Sequence, residues 1–353
     1  MRALKWIGIG IIGLVVLGLV GLRAWPMPDY APYELSAKEA AFVAQINVPE
    51  FAPDWHFRTF ESFDGTAIRW GETGNADTAK ATLVYVPGYN GTLDAYAEQF
   101  GLWARKGYHV VGMDMRGQGG SEGNPHGEKL PAFIQGGEVV NSRDIRGLVS
   151  SLGVEGRPVV LVGSSYGGLM TTLAVMDEPS LFDAYLGLVP AYYPKFPGDR
   201  EAIAKQTRRM ARLGLGDRYV PEQVEWRPFA SDFTEPEWCA TGTERIFHQL
   251  AIQANDPSQR VSGMTFSMIA DWAELGRDII EGRRGGFPVP TTIVVSTNDA
   301  LVENGSVAEV CERDAACDYK VWDDVTHCIT LGPDRDILRV SAEVDALLER
   351  LLR

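Results

Sequence analysis

Gly163-Ser164-Ser165-Tyr166-Gly167 follows the apolar run Pro158-Val159-Val160-Leu161-Val162 and precedes a helix-compatible stretch, Leu169 to Met176. A G-x-S-x-G pattern between a buried strand and a helix holds its central serine on a sharp, strained turn, with the hydroxyl lifted clear of the sheet. Small residues two positions to either side avoid a clash, and glycine tolerates the crowding because it lacks a Cβ. Taken alone the pattern is weak in a chain with 38 glycines, where a plain Gly/Ser turn is the rival reading. Its context gives it weight: a strand before, a helix after, and suitable partners later in the chain. Ser165 is the candidate nucleophile.

A serine nucleophile needs a base within hydrogen-bond reach and a third group that orients the base. The chain holds five histidines: His56, His109, His126, His248 and His327. His109 lies inside the strand-like Tyr108-His109-Val110-Val111-Gly112, where a satisfied, half-buried imidazole is expected. His56 precedes a hairpin, His126 sits in a polar loop, and His248 lies on an amphipathic helical stretch. His327 follows the strand-like Tyr319-Lys320-Val321-Trp322, in a loop before a final helix beginning near Asp334. That position favours His327 as the base.

For the orienting acid, Thr291-Thr292-Ile293-Val294-Val295-Ser296 reads as a buried parallel strand, uncharged and rich in β-branched residues. It ends at Thr297-Asn298-Asp299, and functional groups of open α/β sheets gather at the carboxyl ends of strands. Asp299 is the candidate, 28 residues before His327, which leaves room for one helix around 302–313 and one further strand. Asp323 and Asp324 are rivals, although a carboxylate so close before the base usually points elsewhere. The order Ser165, Asp299, His327 is nucleophile, acid, base.

A tetrahedral intermediate also needs backbone N–H donors aimed at its oxyanion. Tyr166, directly after the nucleophile, is one candidate. The other is Tyr89, in the loop Pro87-Gly88-Tyr89-Asn90-Gly91-Thr92 after the strand Thr82-Leu83-Val84-Tyr85-Val86, a loop that also reads as a simple Pro-Gly turn.

Next comes Asp114-Met115-Arg116-Gly117-Gln118-Gly119-Gly120-Ser121. With this D-x-R-G-x-G-x-S run the chain resembles the monoglyceride lipase, lysophospholipase L2 and serine-aminopeptidase-like (S33-type) branch of the α/β-hydrolases. A further echo lies in Asn255-Asp256-Pro257 and Gly263-Met264-Thr265-Phe266, where that branch carries a Gly-Pro-Thr segment in its cap. The resemblance spans Phe57 to Leu352. The branch usually has His-Gly where this chain has Pro87-Gly88, and His before the nucleophile where it has Ser164; neither side chain performs the chemistry. The resemblance implies an α/β-hydrolase fold and a single-chain lipid ester as substrate, a monoacylglycerol or lysophospholipid.

Trp6 to Leu22 is an uncharged, mostly apolar stretch of seventeen residues, flanked by Arg2, Lys5 and Arg23. At about 1.5 Å per residue it just spans a bilayer core. Residues 1–25 therefore read as a membrane anchor that leaves the catalytic body on the non-cytoplasmic side. A cleaved signal peptide and a secreted enzyme are the alternative, although no small-x-small site follows. The G-x-G-x-x-G match at Gly8 to Gly13 is discarded, because no strand precedes it.

Residues 26–56 read as a linker with a short helix, Ala37 to Gln45. An antiparallel hairpin turning at Asp64-Gly65 follows, then apolar strands alternating with helices. The expected architecture is a mostly parallel, doubly wound sheet (57–190 and 288–353) interrupted by a helical cap, 191–287. Cap aromatics pack a core or face a substrate cleft; Tyr192, Trp238, Phe266 and Trp272 are the candidates for the cleft.

A formal net charge of −14 argues against nucleic-acid partners and against adhesion to an anionic membrane face. No Cys/His spacing suggests a metal site, and no cofactor is expected. Cys311 and Cys317 pair if the domain is exported, or remain thiols; Cys239 and Cys328 read as small core residues. The expectation is a serine ester hydrolase working through an acyl-enzyme. A short-chain carboxylesterase, an acyltransferase or a peptidase on the same fold are alternatives, and a non-catalytic, membrane-tethered binding protein is a third class.

Overall fold

The computed structural model describes residues 17–18, 20–21, 33–123, 134–135, 138–154, 156–196, 198–228, 239–240, 242 and 244–351. Most of the segment read as an anchor, together with His126 and Trp238, lies outside these residues. Among the described residues no helix is long and apolar enough to cross a membrane.

One eight-stranded sheet organises the chain. In sequence its strands are β1 (His56–Glu61), β2 (Ala67–Thr73), β3 (Thr82–Val86), β4 (His109–Met113), β5 (Val159–Ser164), β6 (Ala184–Leu188), β7 (Thr291–Ser296) and β8 (Cys317–Trp322). Their spatial order is β1-β2-β4-β3-β5-β6-β7-β8. β2 runs antiparallel to β1 and β4, and every other pairing is parallel. The β1–β2 hairpin turns at Asp64-Gly65, where Gly65 takes φ 85° at no steric cost.

Nine helices are named here: α1 (Ala37–Val43), α2 (Ala97–Arg105), α3 (Val140–Ser151), α4 (Tyr166–Asp177), α5 (Arg200–Met210), α6 (Glu244–Asn255), α7 (Phe266–Ile280), α8 (Gly305–Glu312) and α9 (Asp334–Leu351). The central strands are buried on both faces, so their alternation divides apolar residues between two cores. On β3, Val84 and Val86 join Leu148 of α3, Leu173 of α4 and Val307 of α8. Leu83 and Tyr85 point the other way, into Phe100 and Trp103 of α2 and Val344 of α9.

The stretch expected to be a linker is packed against the body. Ser36 caps α1 through a reciprocal bond with Glu39, and Phe42 meets Phe247 of α6 edge-on at 5.0 Å. Phe51 stacks on Trp55 at 4.5 Å, and Trp55 on Phe100 at 5.1 Å. Helices α5, α6 and α7 lie between β6 and β7 in the chain.

Candidate active site

Ser165 joins β5 to α4 with φ 53° and ψ −120°, a conformation that costs on the order of 1–3 kcal/mol for a side-chain-bearing residue. The surroundings hold it there. Its N–H donates to the Leu188 carbonyl at 2.9 Å, and its own carbonyl accepts from Ala191 and Leu169 at 2.9 and 3.1 Å. A Cβ on Gly163 would overlap the Thr171 hydroxyl, and one on Gly167 would overlap the carbonyl oxygens of Val86 and Pro87. Both glycines are therefore demanded by close approach.

His327 Nε2 lies 2.8 Å from Ser165 Oγ, and His327 Nδ1 lies 2.7 Å from Asp299 Oδ2. Asp299 Oδ1 accepts the backbone N–H groups of Leu301 and Val302 at 2.8 and 2.9 Å. One carboxylate oxygen thus fixes the acid in its loop and the other fixes the imidazole. Both side chains are buried, while Ser165 is half-buried. The structure brings these three residues together and sets the rivals apart. Asp324 is exposed and pairs with Arg339 and Arg335 at 2.6 and 3.0 Å, and Asp323 is also exposed. His56 opens β1 and is exposed. His109 is more deeply buried than expected, between Thr82 and Glu72, each at 3.1 Å. His248 is buried on α6, where desolvation lowers its pKa.

Tyr166 is the first residue of α4, so its N–H belongs to the turn whose amides have no intrahelical acceptor. The positive end of the helix dipole adds to any stabilisation of an anion there. Tyr89 lines the cavity beside Ser165, its hydroxyl donating to the Ser262 carbonyl at 2.6 Å. Burial raises the pKa of both tyrosine hydroxyls.

The D-x-R-G-x-G-x-S loop braces this wall. Gln118 accepts the Asn90 N–H at 2.6 Å, holding Asn90 at φ 63°. Asp114, fully buried, accepts from Leu93 N–H at 2.8 Å, from Gly120 N–H at 3.0 Å and from Arg69 at 3.0 Å. Its pKa is nevertheless pushed up to about 6, because desolvation outweighs the pull of Arg69. Arg116 ties the same loop to Asp144 and to Asp64 in the β1–β2 turn.

Ser165 and His327 open into a cavity of about 360 Å³, walled largely by apolar side chains, among them Ile246, Met264, Trp272 and Leu301. Of the cap candidates, Trp272 lines this cavity and anchors its indole N–H on the Ala191 carbonyl at 2.6 Å. Tyr192 does not line it: that side chain is fully buried, with its hydroxyl 2.9 Å from Thr172 Oγ1, because core packing claimed the aromatic first. Phe266, half-buried at the start of α7, lies outside the lining as well. Pro194, Lys195 and Gln249 line the cavity without having been marked by any motif. A second correction concerns the thiols. Cys239 and Cys328 are not separate core residues but a disulfide with Cα atoms 4.9 Å apart, and Cys311 and Cys317 form the other. Among the described residues no group of His, Cys, Asp or Glu is placed to hold a metal ion.

Solved structures share this architecture at low sequence identity. Monoglyceride lipase of Saccharomyces cerevisiae matches with TM-score 0.62 at 15% identity, covering 87% of this chain and 97% of that one. A thermostable carboxyl esterase of Bacillus coagulans gives 0.65 at 14%, covering 84% and 97%. Paleococcus ferrophilus monoacylglycerol lipase gives 0.59 at 19%, covering 80% and 98%. No curated protein matches the chain by sequence. The model of one family, described as serine aminopeptidase, S33, matches residues 77–334, from just before β3 to the start of α9. Since that span takes in most of the sheet and the whole cap, the chain belongs to the serine aminopeptidase S33 family and has the α/β-hydrolase fold.

Proposed function

We propose that the protein is a serine ester hydrolase acting through an acyl-enzyme on single-chain lipid esters, a monoacylglycerol or lysophospholipid. The observation that carries this reading is the imidazole of His327, within hydrogen-bond distance of both Ser165 and Asp299 at the edge of an apolar cavity. In the proposed mechanism Nε2 of His327 takes the Ser165 proton as Oγ attacks the acyl carbonyl. Asp299 holds the Nδ1–H tautomer and stabilises the imidazolium. The amides of Tyr89 and Tyr166 bind the oxyanion, and His327 then protonates the departing alcohol. Water, activated by the same imidazole, releases the acid.

The size and apolar walls of the cavity support a single alkyl chain as the acyl group, since pockets of roughly 300 Å³ and more enclose ligands of that size. Two of the similar structures bear monoacylglycerol lipase names, which supports the same substrate class. The uncharged stretch 6–22 supports a membrane tether beside the lipid source. Hydrolysis rates for p-nitrophenyl and glycerol monoesters from acetate to stearate test the reading. A maximum at long chains is expected; a maximum at acetate or butyrate would replace it with a short-chain carboxylesterase.

A further inference from the structure

The loop bearing His327 is anchored from two sides. On the β7 side Asn298 donates to the Asp323 carbonyl at 2.6 Å and Ser296 to the Val325 carbonyl at 2.5 Å. The residues flanking the imidazole are held elsewhere: Thr326 Oγ1 donates to the Cys239 carbonyl at 2.8 Å, and the Cys328 N–H donates to that same carbonyl oxygen. Cys239 stands 89 residues earlier in the chain, between β6 and β7, and its disulfide to Cys328 adds a covalent link to these two hydrogen bonds. Both cysteines line the cavity that contains Ser165 and His327.

We infer that Cys239 and Cys328 are positioning residues for His327, and that reduction of their disulfide by a dithiol turns the hydrolase down. The inference rests on the proposed role of His327 as the base. A thiolate of the reductant attacks one protein sulfur, and the other leaves as a thiolate that takes a proton. The second thiol of the reductant then resolves the mixed disulfide, leaving a cyclic disulfide and two protein thiols. With the Cys239 carbonyl released, Thr326 and Cys328 lose their shared acceptor, and the imidazole is no longer held at Ser165 from this side. Misplacement by about 1 Å at a reacting centre costs on the order of 100-fold in rate. The Cys311–Cys317 disulfide closes only a short connection between α8 and β8, and neither cysteine lines the cavity, so it serves as the internal control.

The test uses the full chain. The double variant Cys239→Ala/Cys328→Ala should lose roughly 100-fold in kcat while KM changes by less than about threefold. Cys311→Ala/Cys317→Ala should keep the wild-type kcat. Wild-type enzyme in dithiothreitol, assayed where circular dichroism still reports the folded state, should fall as the double variant does and recover with oxidised glutathione. Unchanged kcat in protein that mass spectrometry shows to be fully reduced would overturn the inference, as would free thiols at both positions in the untreated protein. Failure of the double variant to fold leaves the dithiothreitol arm decisive. Loss of the functional reading is a separate outcome, signalled by Ser165→Ala retaining activity.

Discussion

Gln253, buried on α6 of the cap, donates its side-chain amide to both the carbonyl and the side-chain oxygen of Asn90, at 3.0 and 2.9 Å. Asn90 follows Tyr89 directly, so a cap helix holds the wall proposed to bind the oxyanion. Replacing Gln253 by Leu removes both bonds and leaves the Trp226 indole N–H without its 2.9 Å acceptor. Because the oxyanion forms only in the transition state, kcat should fall roughly tenfold with KM little changed. Steady-state kinetics on one soluble ester check this; a Gln253→Leu enzyme with wild-type kcat would show that the bonds from Gln253 do not position this wall, leaving Gln249, which donates to the Asn90 carbonyl at 2.9 Å, to hold it.

Asp299→Asn keeps the shape of the orienting residue and inverts its chemistry. The side-chain oxygen can stay on the Leu301 and Val302 amides, which turns the new NH₂ group toward His327 Nδ1. The imidazole must then accept at Nδ1 and carry its proton on Nε2, where it cannot take one from Ser165. A fall in kcat of about 10³–10⁴ is expected, with thermal stability changed far less. Stopped assays with high enzyme concentrations measure the residual rate.

Gly167→Ala should fail for a steric reason. Its Cβ meets the backbone carbonyls of Val86 and Pro87, which belong to β3 and the loop after it and cannot step aside as a side chain would. Overpacking of this kind costs about 1–3 kcal/mol or more. A melting temperature equal to wild type would contradict the fit described for the elbow.

The Arg116–Asp64 pair makes stability depend on pH. Hydrogen bonding from the Arg116 guanidinium is the main reason that the Asp64 carboxyl sits well below the ordinary carboxylate range. A depressed folded-state pKa gives stability that is present above the unfolded value and lost as pH falls toward the folded one. Asp64→Asn should therefore destabilise the protein at pH 7, by about 1 kcal/mol after allowance for solvent screening, with the difference shrinking below about pH 4. Urea melts of both proteins at pH 7 and pH 3 test the sign; a constant difference would refute it.

The three side chains that meet at the site were each marked by local chemistry in the sequence. Ser165 stands in a glycine-framed turn after a β-branched strand, Asp299 just past the end of another, and His327 in the loop after β8. Such signals survive because strand ends and turns are written in neighbouring residues. Cavity walls are not. Tyr192 and Trp272 are both aromatic cap residues, yet one is sealed on Thr172 and the other faces the cavity, a choice made by packing across the chain. The Cys239–Cys328 bond was hidden for a related reason: its halves are 89 residues apart, and spacing does not reveal connectivity at that range. The packing of residues 33–56 against the cap and α2 escaped for want of any long apolar period.

The most direct measurement is labelling by a fluorophosphonate, followed by intact-mass analysis, on wild type and Ser165→Ala alongside kcat on a p-nitrophenyl ester. Wild type should gain one adduct and the variant none, with kcat lower by roughly 10⁴–10⁶. An adduct on the variant, or hydrolysis at the wild-type rate, would contradict the account.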